Sequence, residues 1–147
     1  MNNEVKIRSM VLGDYENVIR LMRSAAGMTI RSADSREAIG TYLERNPDLS
    51  LVAERGEELI ACVLCGHDGR RGYLHHVVVA QSYRGRGIGR DIISKALDGL
   101  ATAGILKTHI DVYADNHQAI GFWEAIDWEV RSELVRMSYI RSDDRNI

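Results

Sequence analysis

The chain is poor in the residues that punctuate or staple a fold. It has one proline, Pro47, and two cysteines, Cys62 and Cys65, in 147 residues. With no proline-rich linker, repeat or low-complexity tract, it reads as a single domain over residues 1–147, with a frayed polar tail at 141–147. Two cysteines cannot build a disulfide framework. They form one C-x-x-C without a second pair, inside an apolar run read as a strand, where positions three apart point to opposite faces. They are read as buried packing residues, and no metal site is expected. An excess of positive charge is also missing: the formal net charge is −2, which argues against a general nucleic-acid binder. No apolar run approaches the roughly 20 residues of a membrane span. The opening residues Met1 to Lys6 lack the shape of a signal peptide. These absences point to a cytoplasmic domain with neither a nucleic-acid nor a membrane partner.

What is present is a full core, with 45% hydrophobic and 27% charged residues. Val5 to Met10 alternates as a first strand. Asp14 is expected to cap a helix carrying Val18, Leu21, Met22 and Ala25 on one face, with Gly27 at its end. Asp34 and Glu37 match a capping box opening a second helix through Ala38, Ile39, Tyr42 and Leu43, stopped at Asn46-Pro47. Leu49 to Glu54, Leu59 to Gly66 and Tyr73 to Ala80 read as a meander of three strands. A helix follows to about Ala103-Gly104, then a strand from Leu106 to Tyr113. Asp115 with Gln118 opens a helix from Asn116 to Ile126. Trp128 to Arg131 and Leu134 to Ile140 are expected to close the sheet as a hairpin. The order β-α-α-β-β-β-α-β-α-β-β describes a mixed α/β (α+β) domain, with a largely antiparallel central sheet flanked by four helices.

The chemistry gathers at one place. The β-branched run Val77-Val78-Val79 leads into Arg84-Gly85-Arg86-Gly87-Ile88-Gly89-Arg90, and the helical period begins at Ile88. A glycine loop opening a helix offers unpaired N–H groups at the positive end of a helix dipole, a site for phosphate or pyrophosphate. A Walker loop needs Lys-Ser/Thr after its last glycine; here Arg90-Asp91 follows Gly89. A dinucleotide fingerprint needs G-x-G-x-x-G at the first strand of a parallel βαβ unit. Here the spacing is G-x-G-x-G, in the middle of an antiparallel chain.

The remaining pattern, R-x-x-G-x-G, is matched by Arg84 to Gly89, and with it the chain resembles the GNAT superfamily of acyl-CoA-dependent N-acetyltransferases. Asn116 to Trp123 resembles that family's second motif, N-x-x-A-x-x-F/L-Y, and the element order fits over nearly the whole chain. The resemblance implies acetyl-CoA as co-substrate, with no metal. Val77, Val78 and Val79 would lie along the pantetheine arm, with a backbone N–H near Val78 facing the thioester carbonyl. Arg84, Gly85, Arg86, Gly87, Ile88, Gly89 and Arg90 would hold the pyrophosphate, and Asn116, Ala119, Phe122 and Trp123 the second motif's share of the acyl carrier.

The resemblance also implies direct attack by a primary amine in a ternary complex. Asp111 maps to a glutamate used as base in ribosomal-protein N-terminal acetyltransferases. His75 and His76 are rivals, expected to face opposite ways. The family's usual tyrosine acid is replaced by Trp123, whose indole N–H is no proton-transfer acid. Tyr113 or Tyr139 would then take that role, or the thiolate would take its proton from water or the ammonium intermediate. The acceptor is read as a small-molecule or peptide amine without a finer assignment, and a homodimer is compatible with the pattern. Two other readings compete: a non-catalytic acyl-CoA sensor, and a tRNA-directed toxin that the net charge of −2 disfavours.

Overall fold

The computed structural model describes residues 4–147. Met1 to Asn3, part of the stretch read above as lacking a signal-peptide shape, lie outside the described residues. The elements run β1 (Val5–Ser9), α1 (Tyr15–Arg23), α2 (Arg36–Arg45), β2 (Leu51–Arg55), β3 (Glu58–His67), β4 (Gly72–Val79), α3 (Ile88–Thr102), β5 (Thr108–Ile110) and α4 (His117–Ala125). Short 3-10 turns at Leu12–Asp14, Ser32–Asp34 and Gln81–Tyr83 precede α1, α2 and the glycine loop.

Contacts divide the described chain into two units, one through Ile110 and one from Asp111 to Ile147. The first holds a five-stranded sheet in the order β1-β2-β3-β4-β5. β1 to β4 pair antiparallel, and β5 joins β4 in parallel after the α3 crossover. The two cysteines report its layers. Cys62 sits in the cluster that buries Val18, Ile19, Leu21 and Met22 of α1 and Ile39 of α2. Cys65 faces the other way, its Sγ 4.0 Å from the Ala96 carbonyl of α3. Helices α1 and α2 therefore cover one face and α3 the other, with Ile88, Ile92, Ile93, Ala96 and Leu100 as the buried stripe of α3. Both thiols are free and buried, as their spacing predicts.

The second unit contains α4 and an irregular stretch. The expected closing hairpin is absent: residues 128–140 form no strand. Alternation makes a strand only where a neighbouring ladder accepts its N–H and C=O groups. This stretch has no such ladder among the described residues, and Val135, Met137 and Tyr139 are left 85%, 91% and 87% exposed. The strand expected over Leu106 to Tyr113 shortens to Thr108–Ile110. Among the described residues no helix is long and apolar enough to cross a membrane.

The starts of α2 and α4 differ from the capping signals by one residue. The cap of α2 is Ser35, whose Oγ accepts the Ala38 N–H at 3.1 Å, one position after Asp34. The cap of α4 is Asn116, whose Oδ1 accepts the Ala119 N–H at 3.1 Å, one position after Asp115. Asp14 stands at the start of α1 without a side-chain cap bond; its carboxylate accepts the Val11 N–H at 2.9 Å and so closes the preceding 3-10 turn.

Candidate active site

Strand β4 carries an irregularity at its centre. Cys62 of β3 stands opposite Val78, but Leu64 stands opposite His75, so His76 and Val77 together face the single residue Val63. This is a β-bulge. His76 takes φ +50°, a left-handed conformation uncommon outside glycine, though asparagine, aspartate and histidine enter it more readily than other residues. The extra residue resets the side-chain alternation. His75 and His76, expected on opposite faces, both lie on the face covered by α2. The His75 ring is 6.1 Å from that of Tyr42 in α2, and His76 Nε2 lies 2.8 Å from Oδ1 of Asp34, just ahead of α2.

Pairing between β4 and β5 covers only Gly72–Leu74 against Thr108–Ile110. Beyond Leu74, β4 has no ladder partner on that side among the described residues. The Ala80 N–H points to β3, where it bonds the Ile60 carbonyl at 2.8 Å. Peptide groups alternate sides along a strand, so the N–H of Val79 faces the open edge. The end of the β4–β5 ladder thus leaves a backbone donor on an open strand edge.

The glycine loop follows immediately. The Arg84 Nε–H bonds the Val79 carbonyl at 3.0 Å and anchors the loop to the end of β4. Gly85 and Gly87 take φ +78° and +83°, and a Cβ on either would meet nothing within 4 Å. Backbone conformation, rather than space, is what requires glycine there. The first helical bond of α3 runs from the Asp91 N–H to the Gly87 carbonyl. The N–H groups of Ile88, Gly89 and Arg90 therefore precede the ladder and point out of the helix end. Arg86 turns back over the Tyr83 ring at 5.1 Å, with Arg55 5.8 Å from the same ring. These residues border a groove of about 710 Å³ between α3 and β1.

On the α2 side, a cavity of about 200 Å³ is lined by Tyr42, Arg45, Asn46, His67, Tyr73 and His75 among others. The Tyr73 and His75 rings stack at 6.4 Å with 8° between planes. The Tyr42 hydroxyl is buried and has no hydrogen-bond partner among the described residues; burial pushes it above its ordinary pKa. Gly66 makes this packing possible, since a Cβ there would fall 2.6 Å from the Tyr42 oxygen and 2.7 Å from Asn46.

Asp34 is 5% exposed. Burial raises its carboxyl, but hydrogen bonds from His76 and from the Arg31 N–H (2.9 Å) outweigh it, holding the group below the usual carboxylate range. The Tyr15 hydroxyl bonds the Asp34 carbonyl at 2.8 Å. Sequence reading missed the Asp34–His76 contact. Its only signal was Asp34 itself, read as a helix cap.

The remaining expected residues lie in the second unit. Asp111, 63% exposed, pairs with Arg136 at 2.9 Å. Tyr113 is 55% exposed. Within α4, Ala119 is the residue whose N–H Asn116 caps. The Phe122 ring meets Trp123 edge-on at 5.4 Å, and Trp123 meets Trp128 at 4.7 Å. Trp128 joins this aromatic group without having been singled out from the sequence.

A bulged strand that loses its parallel neighbour and runs into a glycine loop at a helix N-terminus is an arrangement suited to a phosphorylated ligand. Comparison with known proteins agrees. The acetyltransferase (GNAT) family model matches residues 16–128, and the chain belongs to that family. It is 34% identical over 125 residues to an acetyltransferase of Pectobacterium atrosepticum, covering 85% of this chain and 88% of that one. It is 32% identical over 131 residues to an acetyltransferase of Yersinia pestis, covering 89% and 92%. The fold matches the crystal structure of the PaiA N-acetyltransferase from Thermoplasma acidophilum in complex with coenzyme A. That match has a TM-score of 0.76 at 20% identity, over 86% of this chain and 91% of that one. The protein is thus an acyltransferase of the acyl-CoA-using kind, whose general reaction is N-acetylation of an amine acceptor.

Proposed function

We propose that the chain moves an acetyl group from acetyl-CoA to a primary amine of a small molecule or peptide, by direct attack in a ternary complex. The observation that carries this reading is the β4 bulge, placed where β4 parts from β5 and continuous with the glycine loop. The exposed N–H groups of Ile88, Gly89 and Arg90 suit a pyrophosphate, with Gly85 and Gly87 allowing close backbone approach and Arg84 tying the loop down. Val77, Val78 and Val79 form the wall for the pantetheine arm. The open-edge N–H of Val79 is the donor suited to a developing oxyanion. Bound acetyl-CoA supplies the activated acyl group, and this chain supplies its position, worth several kcal/mol. The amine enters from the α2 side, where the cavity at Tyr42, Tyr73 and His75 offers aromatic walls.

The test combines a thermal shift with acetyl-CoA and a panel of primary amines followed by release of free thiol. Binding to the native state raises the melting temperature by mass action. A rise at sub-millimolar acetyl-CoA, with thiol release for at least one amine, supports the reading. No rise, or a rise with no turnover on any nucleophile, overturns it.

A further inference from the structure

Transfer to an amine needs a group that takes the ammonium proton, and three candidates stand apart by their surroundings. Asp111 is held by Arg136 at an exposed position. His75 is enclosed by the Tyr42 and Tyr73 rings. His76 has an orienting carboxylate: its Nε2 is 2.8 Å from Oδ1 of Asp34, and Asp34 is itself fixed by the Arg31 N–H and the Tyr15 hydroxyl. His76 also occupies the bulge, in a strained left-handed conformation. Strain of that kind persists only where surrounding structure imposes it, and it gathers at functional sites. The neighbouring groups are Asp34, His75, the Tyr15 hydroxyl and the Cys62 thiol, whose Sγ is 3.9 Å from the His76 carbonyl. The imidazole keeps 21% of its surface exposed.

We infer that His76 is the general base of the transfer, with Asp34 as its positioning residue. This rests on the acetyltransferase reading above. Asp34 accepts the proton-bearing Nε2, which fixes the tautomer and leaves Nδ1 with a lone pair. His76 Nδ1 takes one proton from the acceptor ammonium. The freed amine attacks the thioester carbonyl; the C–N bond forms and the C–S bond breaks. The nitrogen's second proton goes to the departing thiolate, giving the free thiol, and its third remains on the amide. His76 then releases its proton to solvent. The bulge places this base three residues before Val79, whose N–H faces the open edge.

The test exploits the backbone. Glycine adopts the left-handed conformation of residue 76 without strain, so His76→Gly removes the imidazole and keeps the bulge. Asparagine tolerates that conformation and offers Asp34 an N–H donor, but it cannot take a proton. Thiol release is measured with hydroxylamine and with the amine panel, and folding is checked by the acetyl-CoA thermal shift. Both His76→Gly and His76→Asn are expected to keep the shift and lose about 100-fold or more in kcat, the range of general-base contributions. Added imidazoles are expected to restore His76→Gly, the more basic ones more strongly. Asp34→Asn is expected to lower kcat about tenfold or more, leave the acetyl-CoA KM unchanged and gain nothing from added imidazole. Activity within threefold of wild type in His76→Asn overturns the inference, as does rescue that follows imidazole shape rather than basicity. A wild-type protein that releases no thiol with any nucleophile overturns the acetyltransferase reading itself.

Discussion

The Arg8 guanidinium grips the Asp14 carboxylate with two hydrogen bonds of 2.8 Å each, fixing β1 to the turn that starts α1. Arg8 also reaches Glu54 of β2 at 3.2 Å, and Asp14 holds the Val11 N–H. The Asp14 side chain is 10% exposed, so truncation leaves the Val11 amide without this partner and takes from Arg8 one of its two carboxylates. Asp14→Ala is expected to cost about 2 kcal/mol, or roughly 4–8 °C in Tm for a chain of this size. Thermal unfolding of the two proteins at pH 7 checks the figure.

The same pair sets a pH dependence. The hydrogen bonds from Arg8 outweigh burial and hold the Asp14 carboxyl below its ordinary value in the folded state. The folded chain thus keeps this group ionised where the unfolded chain protonates it. Its stabilisation is complete above the unfolded carboxylate value of about 4, and it is lost as pH falls through the lower, folded value. The Tm difference between wild type and Asp14→Asn is expected to be constant from pH 7 down to about 5 and to shrink below that. A difference that grows on acidification would contradict this account.

Legibility from sequence followed the range of the interactions involved. The stripe of α3 and the opposite facings of Cys62 and Cys65 come from local periodicity, and they match. The glycine loop was readable because φ near +80° at Gly85 and Gly87 demands glycine locally. The bulge was not, because nothing in His75-His76-Val77 announces a positive φ; a contact 42 positions away, with Asp34, accompanies it. Capping signals were right to within one residue, since Asp34 and Ser35 are both good caps and tertiary contacts took Asp34 for His76. Residues 128–140 show the converse: alternation was present, but a strand also needs a neighbouring ladder.

Cys62 and Cys65 are pushed up to about 12 by burial. Thiolate, not thiol, reacts with disulfide reagents and alkylators. At pH 8 both are expected to label at least about 100-fold more slowly in the folded protein than in denaturant. Rapid labelling of either thiol in the native state would show that the sheet opens locally at β3.

Trp123 stands where the resemblance to the family's second motif implies a tyrosine. It meets the Trp128 ring at 4.7 Å. An indole cannot donate its proton as an acid at working pH, so Trp123→Phe is expected to lower kcat less than about tenfold, with some stability lost from the aromatic pair, on the order of 1 kcal/mol. A thousandfold loss of turnover with acetyl-CoA binding intact would assign the indole a direct part in the chemistry.

Tyr42 separates stability from acceptor recognition in one substitution. Its hydroxyl is buried against Gly66 and Asn46 with no partner among the described residues, and an unmade buried hydrogen bond costs about 1–3 kcal/mol. Tyr42→Phe removes that oxygen while keeping the ring that meets His75. In the absence of acceptor, it is expected to raise Tm by about 2–4 °C, corresponding to about 1 kcal/mol. If the cavity beside Tyr42, Tyr73 and His75 receives the acceptor, the hydroxyl gains its partner there, and the same variant raises the acceptor KM about fivefold or more at unchanged acetyl-CoA KM. A more stable protein with an unchanged acceptor KM would place the amine elsewhere on the α2 face. A less stable one would mean that the hydroxyl is already satisfied by solvent in the folded protein.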